Sequence, residues 1–247
     1  MDVFLYDKSF EGLLSAVFDA FALKRFPGRL AVSGDIPLLP LHYAHTVITG
    51  ADKAGRVFQG LRKRLSPRGR DNLMLVWLSE QPGSDTLLFR HICAIFNDDH
   101  ADDTAAAAAG LAAKVAGERH RMYGFARFQK TAEGVYFSSL APKYNVLPLL
   151  LQHFADRFGG QQWILYDTAR AYGAFFNGRE FQELFLNPEH LRDGQLHNVS
   201  PAEDEKRVQT LWKSYFKAIA VQERLNPALQ RRCMPRRYWC HLTEKQE

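Results

Sequence analysis

The segment at residues 231–241 contains the side chains best suited to chemistry with a polyanion. It combines guanidinium groups with aromatic rings: Arg231, Arg232, Arg236, Arg237, Tyr238 and Trp239. Guanidinium groups bind phosphate through two parallel hydrogen bonds, and an aromatic ring can stack on an unpaired base. Because acids are scarce nearby, we expect the four arginines to bind nucleic acid rather than carboxylates. Tyr238 and Trp239 could stack on bases or anchor the chain end in the core, and we favour the anchor for Trp239.

Three more arginines flank two predicted β-hairpins. Arg121 and Arg127 lie on either side of the start of the first hairpin, and Arg170 lies in the turn of the second. If both hairpins belong to one sheet, these side chains could line one edge as a phosphate track. In the alternative, which we slightly favour for Arg170, it pairs with Asp167 across the turn.

A catalytic interpretation of the same region is weaker. Its candidates are Asp167, His120 and Tyr172, but a lone carboxylate without a visible partner does not define a reaction. The chain has no glycine-rich phosphate loop, no Gly-x-Ser-x-Gly motif and none of the short active-site motifs of uracil-DNA glycosylases. We therefore assign no catalytic residue and favour a protein without an independent activity.

Metal-binding residue types are present, but their spacing matches no standard zinc site. The possible ligands are His91, Cys93, Cys233, Cys240 and His241. We expect buried structural cysteines, no metal and no other cofactor, and a chain that folds without metal. The cysteine run of a radical-SAM enzyme is also missing, so this chain is not itself such an enzyme.

Composition and charge limit the class of protein. The chain has 247 residues and 46% hydrophobic side chains, enough for a packed core, and no apolar run reaches the ~18–20 residues that span a bilayer. Its three cysteines and its N-terminal sequence predict a cytoplasmic protein without a signal peptide or a membrane partner. Basic residues are clustered: 206–237 contains nine cations and one acid, Glu223, and 56–70 contains six cations and no acid. Such clusters are typical of a protein that binds a polyanion.

Hydrophobic periodicity predicts an α+β fold, with an antiparallel sheet that includes a central ββαββ unit and several packed helices. We expect a single compact domain, 1–247, with a helix-rich half (1–123) and a half made of the ββαββ unit and a helix (124–247). Strands are predicted at 3–6, 42–48, 125–130, 135–140, 163–167 and 171–176. A loop is predicted at 26–40. For the apolar run 73–78, periodicity does not distinguish a helix from a strand.

Helices are predicted at 10–21, 104–122 and 147–158, and three more from N-terminal capping signals. These signals are a capping box at 49–52, Ser84 as an N-cap, and the capping box Ser200-Pro201-Ala202-Glu203. The last helix should end near Asn226-Pro227. Its apolar stripe is Val208, Leu211, Trp212, Tyr215, Phe216 and Ile219.

Several sequence blocks are spread along nearly the whole chain: Phe4-Leu5-Tyr6-Asp7, Phe10-Glu11-Gly12-Leu13-Leu14, Lys53, Arg56-Val57, His120-Arg121-Met122, Gly124-Phe125, Arg127-Phe128, His153-Phe154-Ala155-Asp156-Arg157-Phe158, Tyr166-Asp167, Arg170, Leu211-Trp212, Tyr215-Phe216, Arg224-Leu225-Asn226-Pro227 and Met234-Pro235-Arg236-Arg237-Tyr238-Trp239. Together these blocks resemble a bacterial family of DNA metabolism proteins that is a domain of unknown function. The last block is the most specific. The chain departs from the family at Cys233, where a histidine is usual, so no role is carried over to that position.

The resemblance implies a role in DNA repair or modification. The family accompanies a radical-SAM protein, and some members are fused to a uracil-DNA glycosylase-like domain. The expected function is thus a DNA-binding accessory protein that acts with a radical-SAM partner, and a uracil-DNA glycosylase-like partner is a further possibility. Two alternatives stay open: an enzyme acting directly on DNA, and a scaffold that binds only protein.

Overall fold

The computed structural model describes residues 2–32, 43–99, 103–192, 195–196 and 199–246. The chain divides into two compact units, residues 1–116 and 117–247. Each unit combines helices with a sheet, which confirms the predicted α+β class. In the described part of the chain, no helix is both long enough and apolar enough to cross a membrane.

The first unit contains a three-stranded parallel sheet. Its strands are β1 (Val3–Tyr6), β2 (Arg29–Val32) and β3 (Ala44–Thr46), with β1 in the centre. Strand β2 lies in a stretch predicted as loop because of its prolines and glycines. It forms because Leu30 and Ala31 are buried while the backbone pairs in register with β1. The end of that predicted loop and the start of the predicted strand at 42–48 lie outside the described residues.

The described residues of the first unit form four helices and the beginning of a fifth. They are α1 (Phe10–Leu23), α2 (Ala51–Arg64), α3 (Pro67–Trp77), α4 (Ser84–Asn97) and α5 (Thr104–Phe125), the last continuing into the second unit. The hydroxyl of Ser9 caps α1 by accepting a hydrogen bond from the Gly12 amide at 2.9 Å. Leu13, Leu14 and Val17 of this helix are buried in the core.

The two capping predictions in this unit are wrong. Helix α2 begins after Gly50 without a side-chain cap, because the Thr49 hydroxyl donates instead to Asp7 Oδ2 at 2.8 Å. Helix α4 begins at Ser84 itself, and the residue before it, Gly83, adopts the left-handed conformation with φ of 78°. The apolar run at 73–78, which periodicity assigned neither to a helix nor to a strand, forms the second half of α3 and its C-cap, Leu78.

The second unit is built on a five-stranded sheet in the order β4-β5-β6-β7-β8. The strands are β4 (Gln129–Lys130), β5 (Tyr136–Leu140), β6 (Trp163–Asp167), β7 (Tyr172–Phe176) and β8 (Phe181–Leu184). Both predicted hairpins share this sheet, but the first is shorter than expected because α5 continues to Phe125. Three pairings are antiparallel, whereas β5 and β6 run parallel, joined by a 3-10 turn (Leu147–Leu149) and α6 (Leu151–Phe158). The sheet is therefore mixed, a difference from the antiparallel sheet expected.

Aromatic side chains form the core of this sheet. Trp163 is fully buried, and its ring lies within 6.3 Å of those of Phe128, Phe154 and Phe176. On β7, Gly173 lies opposite Tyr166, and a Cβ atom there would approach the Leu165 carbonyl oxygen to 2.6 Å. This close approach of two strands explains why the second residue of β7 has no side chain.

The C-terminal part of the second unit is helical. After the short pair β9 (Leu191–Arg192) and β10 (Gln195–Leu196) come α7 (Glu205–Ala218) and α8 (Pro227–Cys233), then 3-10 helices at Arg236–His241 and Thr243–Lys245. The predicted capping box at Ser200 is wrong, because the backbone there pairs with the end of β4: the Ala132 amide donates to the Ser200 carbonyl at 2.9 Å. Helix α7 also ends before the position predicted. Asn226 instead caps α8 by accepting from the Leu229 amide.

Candidate nucleic-acid interface

A buried carboxylate, that of Glu118 on α5, organises the C-terminal block. Glu118 has no solvent exposure, and its Oε1 accepts hydrogen bonds from the Tyr238 hydroxyl at 2.5 Å and the Lys143 amide at 2.7 Å. Its Oε2 receives Arg121 Nη1 at 3.3 Å and Arg237 Nη2 at 3.4 Å. A buried carboxylate needs such a set of donors, because an unpaired charge in the interior is costly. Glu118 therefore fixes both arginines and the tyrosine.

Tyr238 anchors the 3-10 helix Arg236–His241 in the core. Its side chain is 2% exposed, and its ring lies 5.3 Å from that of Phe125. Burial and the hydrogen bond to Glu118 raise the pKa of the Tyr238 hydroxyl to about 12, so it stays protonated and acts as a donor. Burial opposes the charge on Arg237, but its hydrogen bonds to Tyr238 and Glu118 outweigh this and raise its pKa. Of the two roles left open for Tyr238, the structure shows the anchor.

Trp239, the next residue, is only half-buried, so the expectation that it anchors the chain end in the core is corrected: Tyr238 is the buried residue of the pair. Its indole nitrogen donates to the Met234 carbonyl at 3.0 Å, which fixes the ring orientation. Two cations lie over the ring: Arg236 at 5.6 Å and Lys245 at 4.9 Å from its centroid. A fixed, partly exposed ring surrounded by cations is a suitable surface for an unpaired base next to its phosphate.

Three arginines of the block are exposed and available for a ligand. Arg231 and Arg232 lie on α8, and Arg236 lies at the start of the following 3-10 helix. Among the described residues, none of the three has a carboxylate within 4 Å. The other four arginines predicted to bind nucleic acid each form an ion pair with a carboxylate.

Arg127 is held by the protein itself. It forms a two-point ion pair with Glu244, with Nε to Oε2 at 3.0 Å and Nη2 to Oε1 at 2.6 Å, and it also donates to the Gly124 carbonyl. Its planar guanidinium lies 5.2 Å from the centroid of the Trp212 ring, and the indole nitrogen of Trp212 donates to the same carboxylate. Burial of Glu244 acts against its charge, but Arg127 and Trp212 outweigh this and lower its pKa. Sequence reasoning missed Glu244, which no local pattern marks.

Arg170 pairs with Asp167, as the alternative interpretation predicted. Nη1 lies 3.0 Å from Oδ2 of the buried carboxylate, and Oδ1 accepts from the amides of Ala169 and Arg170. Burial nevertheless raises the pKa of Asp167. Arg170 also donates to the carbonyls of Pro142 and Lys143. Because the Lys143 amide binds Glu118, the backbone of Lys143 connects the Asp167 and Glu118 networks.

The residues of the catalytic interpretation have different surroundings. Both carboxylate oxygens of Asp167 bind groups of the turn that follows β6. The Tyr172 hydroxyl donates to Asn145 Oδ1 at 2.5 Å, and His120 is exposed on α5. A pair that sequence reasoning missed is Ser139 and His241, whose Oγ and Nδ1 are 2.9 Å apart. Burial lowers the pKa of His241, as a general base would require, but the cavity beside the pair measures about 10 Å³, room for about one water.

The possible metal ligands are dispersed. Cys93 is buried, as expected, which raises the pKa of its thiol to about 12. The same expectation is wrong for Cys233 and Cys240, which are exposed free thiols. Within the described ranges, no three His, Cys, Asp or Glu side chains are placed to hold a metal ion together.

The family to which the chain belongs is shown by residues 82–244. They match the domain of unknown function DUF4130, and because the match covers more than half of the sequence, the chain is a member of that family. The matched region contains the Glu118 and Asp167 networks, α7, α8 and the C-terminal block. No curated protein and no solved structure matches the chain.

Proposed function

We propose that this protein binds DNA as an accessory factor in DNA repair or modification, and that a radical-SAM partner enzyme performs the reaction. The observation that carries the proposal is the exposure of Arg231, Arg232 and Arg236, with no carboxylate of a described residue within 4 Å, next to the half-buried ring of Trp239. Guanidinium groups on a surface supply most of the affinity for a phosphate backbone, and a fixed aromatic ring adds affinity for unpaired bases.

The other arginines contribute in different ways. Arg121 and Arg237 bind Glu118, yet their side chains remain 40% and 49% exposed, so each can offer its outer edge to a phosphate. Arg127 and Arg170 are below 20% exposed and bind Glu244 and Asp167. We infer that these two position the C-terminal segment and the loop at 142–143 rather than contact DNA first.

The role of the partner rests on the family resemblance. The buried carboxylates Glu118, Asp167 and Glu244 are all neutralised by arginines, and this arrangement suits a rigid binding surface better than a reaction centre. An accessory protein of this kind would hold single-stranded or damaged DNA for the partner. A uracil-DNA glycosylase-like protein is a second partner of the same type.

The test is a titration of the purified protein with labelled single-stranded and duplex DNA of equal length, across a range of salt concentrations. Counterion release predicts that the logarithm of the affinity falls linearly with the logarithm of the salt concentration. We expect tighter binding of the single strand, because only unpaired bases offer a free face to Trp239. A protein that binds neither form at low salt would contradict the proposal and leave the protein-only scaffold.

A further inference from the structure

Helix α7 presents to solvent the apolar stripe that its sequence would place in a core. Eight of the fifteen large apolar side chains that are exposed among the described residues lie in one short segment, 208–229. Five of them form a helical stripe, here called the α7 stripe: Val208, Leu211, Trp212, Tyr215 and Ile219. Exposed apolar residues concentrated in this way mark interaction sites in soluble proteins.

The helix rests on its own unit through a different face. The buried Glu205 carboxylate accepts from the Lys130 amide at 2.9 Å and from Gln209, and Phe216 is half-buried on the same side. At ~100° per residue, this side lies roughly a quarter turn from the centre of the α7 stripe. The helix is thus already seated on the protein, and within the part of the chain that the structure describes its stripe is left largely exposed.

The stripe is rigid at its centre. The Trp212 indole donates to Glu244 at 2.9 Å, Arg127 lies over its ring, and the Tyr215 ring is 5.8 Å away. Tryptophan and tyrosine held in one orientation bind a partner with little loss of conformational entropy, which is why such residues dominate protein interfaces.

The charges around the stripe indicate the chemistry of the occupant. Apart from the arginines proposed to bind DNA, residues 206–224 contain five cations and one acid. A second copy of this chain would bring the same cations together. A flat anionic membrane would also cover the exposed acids Glu203 and Asp204, which precede the helix, whereas a peptide lying along α7 can avoid them. A protein segment whose apolar residues are bordered by carboxylates fits both the stripe and its surroundings.

We propose that the α7 stripe is a docking site for an acidic amphipathic helix of a partner protein. The occupant lies along α7, places its apolar residues against Leu211, Trp212 and Tyr215, and directs its carboxylates toward the neighbouring lysines and arginines. This site is separate from the exposed arginines proposed to bind DNA, so it does not depend on DNA binding.

The probe for this site is a synthetic helical peptide of about 20 residues, with leucines on one stripe and glutamates beside it. The matched peptide has lysine in place of every glutamate. Peptide binding is followed by fluorescence anisotropy, and hydrogen exchange locates the contact. We expect the acidic peptide to bind at least ten times more tightly than the basic one and to slow exchange over residues 205–229.

Two variants distinguish binding at the α7 stripe from nonspecific hydrophobic adsorption. Leu211→Ser with Tyr215→Ser, both at exposed positions, should weaken binding of the acidic peptide at least tenfold, whereas Phe185→Ser, at an exposed position outside the stripe, should leave it unchanged. Circular dichroism checks the fold, and if the double variant unfolds, Leu211→Gln alone with exchange mapping replaces it.

Three results would overturn the proposal. The first is equal affinity for the acidic and basic peptides, or affinity that the Leu211 and Tyr215 changes do not alter. The second is adsorption to phosphatidylserine vesicles that the same changes abolish, which would assign the stripe to a membrane surface. The third is a dimer in sedimentation equilibrium that they dissociate, which would assign it to a second copy of the chain.

Discussion

The hydroxyl of Tyr238 donates a 2.5 Å hydrogen bond to Oε1 of Glu118, which lies 120 positions earlier in the sequence and is fully buried. This bond attaches the C-terminal block to α5. It places Arg237 on one side of the tyrosine, where it shares the carboxylate, and leaves Arg236 and Trp239 facing outward. The positions of the proposed DNA contacts thus depend on a bond in the core.

Replacing Tyr238 by phenylalanine should lower the free energy of unfolding by ~1–3 kcal/mol. The change keeps the ring but removes one donor from a buried carboxylate, whose desolvation is then less well compensated. Urea denaturation measures the loss. Tyr215→Phe is the matched control, since Tyr215 is 56% exposed and its variant should stay within ~0.5 kcal/mol of the wild type. A Tyr238→Phe protein as stable as this control would show that the bond contributes nothing.

Tyr238 should also make stability sensitive to alkaline pH. Its pKa is raised from 10.0 to about 12 in the folded protein, so the folded state retains a proton that the unfolded chain releases. The resulting stabilisation is complete below pH 10 and is lost as the pH rises from 10 to about 12. Denaturation curves at several pH values in this window should show the stabilities of wild type and Tyr238→Phe converging. A constant difference would contradict the assigned pKa.

Gly173→Ala should destabilise the second unit by ~1–3 kcal/mol, because its Cβ would lie 2.6 Å from the Leu165 carbonyl oxygen and 2.7 Å from the Tyr166 ring. Gly117→Ala is a control with the opposite sign. It lies within α5, and a Cβ there meets nothing within 4 Å, so alanine should stabilise the helix by ~0.5–1 kcal/mol. Thermal melts of both variants test the pair, and a neutral Gly173→Ala would mean that the strands can separate at no cost.

Trp239→Ala should weaken binding to single-stranded DNA about five- to hundredfold, the range expected for one lost base stack, and affect duplex binding much less. Trp239→Phe is the control, because it keeps an aromatic face while losing the hydrogen bond to the Met234 carbonyl. Anisotropy titrations on both DNA forms give the comparison. Equal losses on single strands and duplex would assign Trp239 to the fold alone.

The strands of the second hairpin were predicted within one residue, because their apolar residues and the turn between them are contiguous in sequence. The parallel pairing of β5 with β6 was not, since it joins segments more than twenty residues apart and depends on how α6 crosses the sheet. The same limit explains the failed capping box at Ser200. Residues 200–203 have the residue types of a capping box, but the backbone at Pro201 pairs with Thr131, which lies far away in the sequence.

The arginines of the candidate site were predicted, and their partners were missed. Glu118 looks like a solvent-exposed residue in an alanine-rich helix. A signal was present, because the buried positions of α5 at Ala112, Val115 and Met122 recur every three or four residues, and Glu118 falls on the same face. The exposure of the α7 stripe had no such signal, since periodicity shows that a face is apolar but not what covers it.

The measurement that tests the DNA-binding claim most directly is the salt dependence of affinity for the variant with Arg231, Arg232 and Arg236 all changed to alanine. The control is Lys114→Ala with Arg179→Ala, which removes two exposed cations that lie outside both basic clusters. Exposed charges contribute little to folding, so the melting temperatures of both variants should stay near that of the wild type. The triple variant should bind DNA more weakly, with a log–log slope shallower by about 2 to 3, while the control keeps the wild-type slope. A folded triple variant with wild-type affinity and slope would contradict the claim and make the arginines an ordinary solvated surface.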